Sequence, residues 1–246
     1  MSALLLRRIH KWIGLILGLQ LIIWTVSGAM MALIDMEEVA GGVRAPGVSP
    51  PPVPAGAAGW AEARRRLGAS PVTGIAVRAL LDRQVIEMTT PQGVRLFDAA
   101  TGQPVRIDGA LAASIARDAY AGTGRISRVA ALDELSLAVR EHELPIWRVD
   151  FADERNSSFY VSAETGRLLE RRNDSWRLWD FFWMLHNMDY ANRTSFNHPL
   201  IVALAFGIVW LAVTGLWLLF RTAWAPDLRA LGRLRPGSAA RESSPR

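Results

Sequence analysis

The 246-residue chain contains no cysteine. That excludes disulfides, thiolate-held Fe–S clusters and covalent haem of the Cys-x-x-Cys-His type, so any fold outside the cytoplasm must stand on packing alone. Lysine is almost missing too: Lys11 is the only one, and arginine makes up the rest of the 28 basic Lys/Arg residues. The pI near 10.5 would suit a nucleic-acid binder, but the arginines are spread through the middle of the chain rather than clustered with aromatics, which argues against nucleic acid as a partner. The sequence has no Gly-rich phosphate loop, no nucleophile elbow and no convincing pair of carboxylates, so hydrolysis is set aside and no catalytic residue is named. Charge, finally, is missing from two stretches near the chain ends, and these are the most informative gaps.

Ile13–Ile34 and Leu200–Phe220 carry no charged side chain. At about 1.5 Å per residue, either crosses a hydrocarbon core of roughly 30 Å. Arg7, Arg8 and Lys11 precede the first span, and Asp35, Glu37 and Glu38 follow it. After the second come Arg221, Arg229, Arg233, Arg235, Arg241 and Arg246 against only Asp227 and Glu242. The positive-inside rule therefore places both termini in the cytoplasm and the middle segment outside it. A cleavable signal peptide is the rival reading of the first span, since Ser27 and Ala29 are small enough for a cleavage site. Its apolar region would normally be shorter, about 7–15 residues, and cleavage would leave the second span without a partner to set its orientation.

Between the spans the sequence repeats itself. After a Pro/Gly/Ala-rich stretch (GGVRAPGVSPPPVPAGAAG, 41–59), Val85–Val105 aligns without gaps with Val149–Leu169, 64 residues later. Each copy reads as an alternating strand, a polar turn, a second alternating strand, a Thr-Gly turn (Thr101-Gly102; Thr165-Gly166) and a short extended piece. Helical stretches, Ala57–Leu67 and Ala110–Ala121, are each followed by an expected strand, Val72–Val77 and Ile126–Ala131. The second copy carries about a dozen additional residues around Leu132–Leu144. Val85, Ile86, Leu96 and Val149, Phe151, Tyr160 are expected as strand residues with alternate positions buried, and Leu111 and Ile115 as the packing face of the second helix. Each copy is too small to be comfortably stable alone, so the two are expected to share a core.

The helix, strands and closing Asp98-Ala99-Ala100-Thr101-Gly102 turn resemble the PepSY domain. The frame around it resembles the PepSY-associated transmembrane family in its opening Arg8-Ile9-His10-Lys11-Trp12-Ile13-Gly14, in Leu185-His186 and in Thr214-Gly215-Leu216-Trp217. The resemblance covers residues 1 to about 222. It implies an α+β membrane protein in which two transmembrane helices flank an extracytoplasmic pair of PepSY-like helix-plus-antiparallel-sheet units. The expected divisions are a cytoplasmic N-terminus (1–12), transmembrane helix 1 (13–34), a linker (35–56), unit 1 (57–107) and unit 2 (108–172). An interfacial aromatic helix and loop (173–198), transmembrane helix 2 (199–220) and a basic cytoplasmic tail (221–246) complete the chain. The resemblance also implies the bacterial inner membrane, with a periplasmic middle domain and a role in reducing or taking up iron-siderophore-like substrates. Larger members of the family have four spans, and some carry flavin-binding reductase modules. With two spans and no such module here, electrons are expected from quinol or a redox or iron-uptake partner protein. PepSY domains elsewhere resemble pro-regions that inhibit or chaperone peptidases, which keeps open a periplasmic binding module regulating a peptidase, and a structural subunit of an uptake complex remains a third reading.

Three histidines are candidate ligands of a b-type haem; no other metal is assigned. His10 falls within about an 80° arc with Gly14, Gly18, Leu21, Thr25, Gly28 and Ala32. That stripe reads either as helix packing through Gly14-x-x-x-Gly18 or as room for a porphyrin with His10 as axial ligand. A stripe of Ala203, Gly207, Trp210, Thr214 and Trp217 on the second span is the surface expected to meet the first. His186 lies along one side of a helix with Trp176, Trp179, Trp183 and Tyr190, which reads as an aromatic belt or as a water-excluded ligand site; the family likeness at Leu185-His186 favours the ligand. His198, between Asn197 as N-cap and Pro199, reads first as a helix-start residue and second as an outer ligand. His142 reads as a solvated loop residue. His10 and His186 stand roughly 30 Å apart at 1.5 Å per residue, so one iron cannot hold both. The expected solution is a homodimer through Gly14/Gly18 that pairs His10 with its copy, while His186 pairs with its copy or with His198.

Overall fold

The two uncharged stretches form most of the first and last helices. The computed structural model describes residues 3–41, 58–191, 193 and 197–224. It opens with helices α1 (Ala3–Leu33), α2 (Met36–Val39) and α3 (Ala58–Leu67), then strands β1 (Gly74–Leu80), β2 (Arg83–Thr90), β3 (Gly93–Asp98) and β4 (Pro104–Val105). Helix α4 (Gly109–Ala119) leads to β5 (Arg125–Ala131), a 3₁₀ turn (Leu137–Val139), β6 (Ile146–Ala152), β7 (Ser158–Ser162) and β8 (Leu168–Arg172). Helices α5 (Asp174–Asn187) and α6 (Pro199–Leu219) follow, the latter running into a π-helical turn at Phe220–Trp224. The first part of the expected linker is the helical turn α2, capped by Asp35, whose Oδ1 accepts the Glu37 N–H at 2.8 Å. The rest of that linker from residue 42, and the basic tail from residue 225, lie outside the described residues.

The chain divides into a helix unit, Met1–Ser27 with Leu185–Arg246, and a sheet unit, Gly28–Met184. Of the two long apolar helices, Leu4–Leu33 has a mean hydropathy of 1.9 and Pro199–Thr222 one of 2.3. Leu15, Ile16, Leu19, Ile22, Phe206, Val209 and Val213 are all more than 60% exposed. The core helix of a soluble protein would bury such faces; these need a lipid surround. The chain is a membrane protein with two membrane-spanning helices.

The sheet unit holds two antiparallel four-stranded meanders, β1-β2-β3-β4 and β5-β6-β7-β8. Its layers follow from side-chain parity. Ile86, Met88 and Phe97 pack with Ala63 of α3 on one face of the first sheet. Val85 and Leu96 on the other face join Ala112, Ile115 and Ala116 of α4 and Val149, Phe151, Phe159 and Val161 of the second sheet. Helix α4 is therefore shared between the sheets, with Ile115 buried and Leu111 packed at its margin. Alternate burial was expected along β2, yet Val85, Ile86, Glu87 and Met88 are all buried, because α3 covers one face of the sheet and α4 the other. The additional residues of the second copy have a related purpose. Leu132, Ala138 and Val139 cover Ile146 and Tyr160 on the far face of the second sheet, which no third helix of the repeat is there to cover. His142 lies beside this cover, its Nε2 within hydrogen-bond distance of Glu170 Oε1 at 2.9 Å and its side chain 27% exposed; it is held in a partly buried setting, not loose in solvent.

The two Thr-Gly turns match. Gly102 has φ +70° and Gly166 φ +66°, each in the left-handed region that glycine enters at no steric cost. Each donates its N–H four residues back at 2.8 Å, to Asp98 O and Ser162 O. In the first turn Asp98 Oδ1 also accepts the N–H groups of Ala100 at 3.0 Å and Thr101 at 2.9 Å.

Charge then joins the copies. Glu87, on the shared-core side of β2, accepts from Arg78 Nε at 2.7 Å and from Arg167 Nη2 at 3.1 Å, while Arg78 also donates to the carbonyl of Thr165. Burial pushes the Glu87 carboxyl up, but the hydrogen bonds and charges of Arg78 and Arg167 more than reverse this and hold it below its ordinary value. Asp98 is lowered in the same sense, burial being outweighed by the Thr101 and Ala100 donors. A carboxyl with a depressed folded pKa contributes stability that is complete above its unfolded value, about 4.3 for Glu, and is lost as pH falls through the folded value. Stability of the sheet unit should thus hold from neutrality down to about pH 4 and fall below it. Glu87→Gln should lower stability at pH 7 and flatten the acid limb, as denaturant titrations at stepped pH would record. An unchanged acid limb would remove Glu87 from this role.

Candidate functional site

Helices α1 and α6 meet through small residues. A Cβ on Gly207 would lie 3.0 Å from Leu17 Cδ1, and one on Gly14 would lie 3.5 Å from Leu211 Cδ1. Glycine at both positions lets the two backbones approach. The expected meeting of the two stripes is therefore found at Gly14, Gly207, Trp210 and Thr214, while Thr25, Ala32, Ala203 and Trp217 are exposed. Gly14 is packed within its own chain, and at Gly18 an added Cβ would meet nothing within 4 Å.

This contact places His10 against α6. Its Nδ1 lies 2.8 Å from Thr214 Oγ1, and Thr214 in turn donates to the carbonyl of Trp210 at 2.8 Å. A threonine hydroxyl has one proton. With that proton committed to the backbone, Thr214 accepts, and His10 Nδ1 carries the hydrogen. The lone pair of the neutral ring is left on Nε2. The imidazole faces Trp210 at a ring separation of 6.3 Å, and its edge fits because residue 215 is glycine: a Cβ there would stand 3.2 Å from His10 Cε1.

The same arrangement recurs at His186. Its Nδ1 is 3.1 Å from the carbonyl of Trp24 and 3.3 Å from Ser27 Oγ, and Ser27, 1% exposed, donates its own proton to the Trp24 carbonyl at 3.0 Å. Again Nδ1 is the donor and Nε2 retains the lone pair. The indole facing this histidine is Trp24, with ring centroids 5.2 Å apart; of the expected tryptophans on α5, Trp179 and Trp183 stack on each other at 5.1 Å. Trp24 was not singled out in the sequence, and Ser27 only as a small residue at a possible cleavage site; the stripe passed through Thr25 instead. One signal was available: Val26-Ser27-Gly28 and Val213-Thr214-Gly215 present the same hydroxyl-Gly pattern, and each hydroxyl receives a histidine from another helix.

His198 is the N-cap residue of α6, the place expected for Asn197, and makes no side-chain cap bond. Its Nε2 is 2.6 Å from the Asn187 carbonyl at the end of α5, so it ties two helix ends and leaves only Nδ1 free. His10 and the Trp24/Ser27 contact lie 14–17 residues apart on α1, or about 21–26 Å, so the two imidazoles belong to separate sites.

In the sheet unit, a cavity of about 1190 Å³ is lined by Tyr120, Gly122, Gly124, Arg125, Asp153 and Arg155 among others. Asp153 accepts from Tyr120 Oη at 2.8 Å and Ser157 Oγ at 2.6 Å. Burial raises its carboxyl, but these donors hold it below the ordinary range, which makes it a poor general base. Among the described residues no group of three or more His, Cys, Asp or Glu could hold a metal ion.

No match is found among curated proteins or among solved structures. The family model described as the PepSY-associated TM region matches residues 7–244. That match spans both membrane helices, both sheets and every histidine considered above, and the chain belongs to the PepSY-associated transmembrane family.

Proposed function

We propose that this is an inner-membrane b-type haem component of electron transfer, or an accessory to it, serving reduction or uptake of iron-siderophore-like substrates. In this reading both termini are cytoplasmic and the sheet unit is periplasmic. One observation carries it: the Nδ1 atoms of His10 and His186 each sit within hydrogen-bond distance of a fixed partner, Thr214 Oγ1 at 2.8 Å and the Trp24 carbonyl at 3.1 Å, so with Nδ1 as the donor the Nε2 lone pair is left for a ligand. Imidazoles that bind metal through one nitrogen characteristically donate from the other, and imidazole suits iron. The residues therefore fit the group. When bound, b-type haem supplies one-electron storage at a potential set by its ligands and surroundings. Thr214 and the Trp24 carbonyl orient the rings, and Trp210, Trp24 and the packed helices exclude water. The described residues near His10 include no second histidine, so a second ligand there would come from His10 of another copy. His198 could serve the outer site only through Nδ1.

A visible spectrum of the purified chain after haem-supplemented expression tests this directly. A Soret band that shifts on reduction is expected. Its absence would overturn the haem reading and leave a periplasmic binding module that regulates a peptidase, which the 1190 Å³ cavity favours. Topology is tested separately: reporter fusions after Arg229 should behave as cytoplasmic and fusions near Gly109 as periplasmic.

A further inference from the structure

The connection between β5 and β6 sorts its side chains by charge. In the first copy Leu81 and Asp82 alone join β1 to β2, whereas the second copy uses residues 132–145. Leu132 donates its N–H to the Ile146 carbonyl at 2.9 Å, which closes the segment into a compact surface loop with its two arms side by side. Arg140 and His142 turn inward: Arg140 Nη1 reaches Asp180 Oδ1 at 3.1 Å, and His142 Nε2 lies 2.9 Å from Glu170 Oε1. The acidic residues turn outward. Asp133, Glu134, Glu141 and Glu143 are all exposed, and none is ion-paired among the described residues. On the same loop stand Leu135, Leu137 and Leu144, which are 43%, 44% and 40% exposed. A single exposed leucine is ordinary, but three on one closed loop make an apolar patch. Covering Ile146 and Tyr160 takes only Leu132, Ala138 and Val139, so the fold itself has no use for the outer three.

We propose that this loop is a docking surface for a different protein on the same side of the membrane, one presenting an apolar patch rimmed by lysine or arginine. Charge decides what covers it. In a chain of net charge +5, four unpaired carboxylates around exposed leucines select a cationic rim and speed encounter with it. Segments that lie on bilayers carry lysine and arginine on their polar face, and carboxylates are expensive inside a membrane, so lipid is the wrong partner. A two-fold contact between copies would set one acidic loop against the other, which like charge opposes. The contact then has the ordinary anatomy of a protein interface, with leucines at its centre and charges at its rim. It stands whether or not haem is bound.

The test uses the full chain in native membranes. The photo-crosslinking residue p-benzoylphenylalanine replaces Leu135, Leu144 or, as a control, Asp82 in the matching turn of the first copy. Both leucine positions are expected to capture one and the same polypeptide, and Asp82 none of it. That polypeptide, purified, should then bind the chain in detergent. Combining Glu134→Gln, Glu141→Gln and Glu143→Gln should weaken this binding about five- to thirtyfold, and Leu135→Ala about three- to tenfold. Binding should also fall as salt rises past about 0.1 M, where exposed charges are screened beyond roughly 10 Å. The substituted side chains are exposed and unpaired, so thermal unfolding should not move and lost binding cannot be put down to lost fold. Adducts with lipid alone, a species at twice the 27.1 kDa chain mass, no adduct at either leucine, the same adduct at Asp82, or binding indifferent to the three glutamines would each overturn the docking surface.

Discussion

Gly166→Ala is expected to destabilise the sheet unit by about 2–4 kcal/mol, whereas Gly68→Ala costs only about 1 kcal/mol. The two glycines form a controlled pair because their backbones are nearly identical, with φ +66° and +68°. Both substitutions incur the left-handed penalty of an L residue. Only at Gly166 does the new methyl meet the shared core, 2.9 Å from Ile107 Cδ1, 3.1 Å from Leu80 Cδ1 and 3.3 Å from Ile115 Cδ1; at Gly68 nothing lies within 4 Å. Those methyl ends belong to the first copy and to α4, so the second Thr-Gly turn is wedged into the core that joins the copies. Unfolding of the purified full chain in detergent, followed by circular dichroism, separates the two effects. Equal losses in the two variants would mean that the turn is not part of the shared core.

That turn also marks how far the fold could be read beforehand. A Thr-Gly dipeptide after an alternating strand is a local signal, set by one left-handed residue, and both copies obey it. The two membrane-spanning helices were legible for the same kind of reason, since an uncharged stretch of this length has few other stable environments. Burial along β2 was not. Alternation assumes that one face of a sheet sees solvent, and here α3 and α4 cover both faces of the first sheet. The additional residues around Leu132–Leu144 were visible as an insertion, but their purpose became clear only once Ile146 and Tyr160 were seen to need covering.

The histidine contacts divide similarly. His10, Thr214 and Gly207 were found by their angular positions, because helix periodicity relates residues on one rod. Which angle of α1 meets α6 is a property of two rods, and the stripe drawn through the small residues was centred too far toward Gly18 and Thr25. The second partner of each histidine sits on a different helix from the histidine itself, and no spacing in the sequence encodes that.

If His10 and His186 each hold a haem, removing one should leave the other intact. Their contacts are separated by about 21–26 Å along α1, and they use different acceptors on different helices. His10→Ala and His186→Ala should therefore each remove about half of the bound haem measured as pyridine haemochrome, and the double variant should remove all of it, as independent sites add. The supporting hydroxyls should differ sharply. His10 Nδ1 has Thr214 Oγ1, at 2.8 Å, as its hydrogen-bond partner, so Thr214→Val should weaken haem binding at that site about 10–100-fold and shift its reduction potential. His186 Nδ1 retains the Trp24 carbonyl at 3.1 Å when Ser27 is removed, so Ser27→Ala should leave binding nearly unchanged. A threonine that merely packed the helices would lower stability without moving the potential. Equal effects of Thr214→Val and Ser27→Ala, or haem content unaffected by either histidine, would show that these rings are fixed for packing and not for iron.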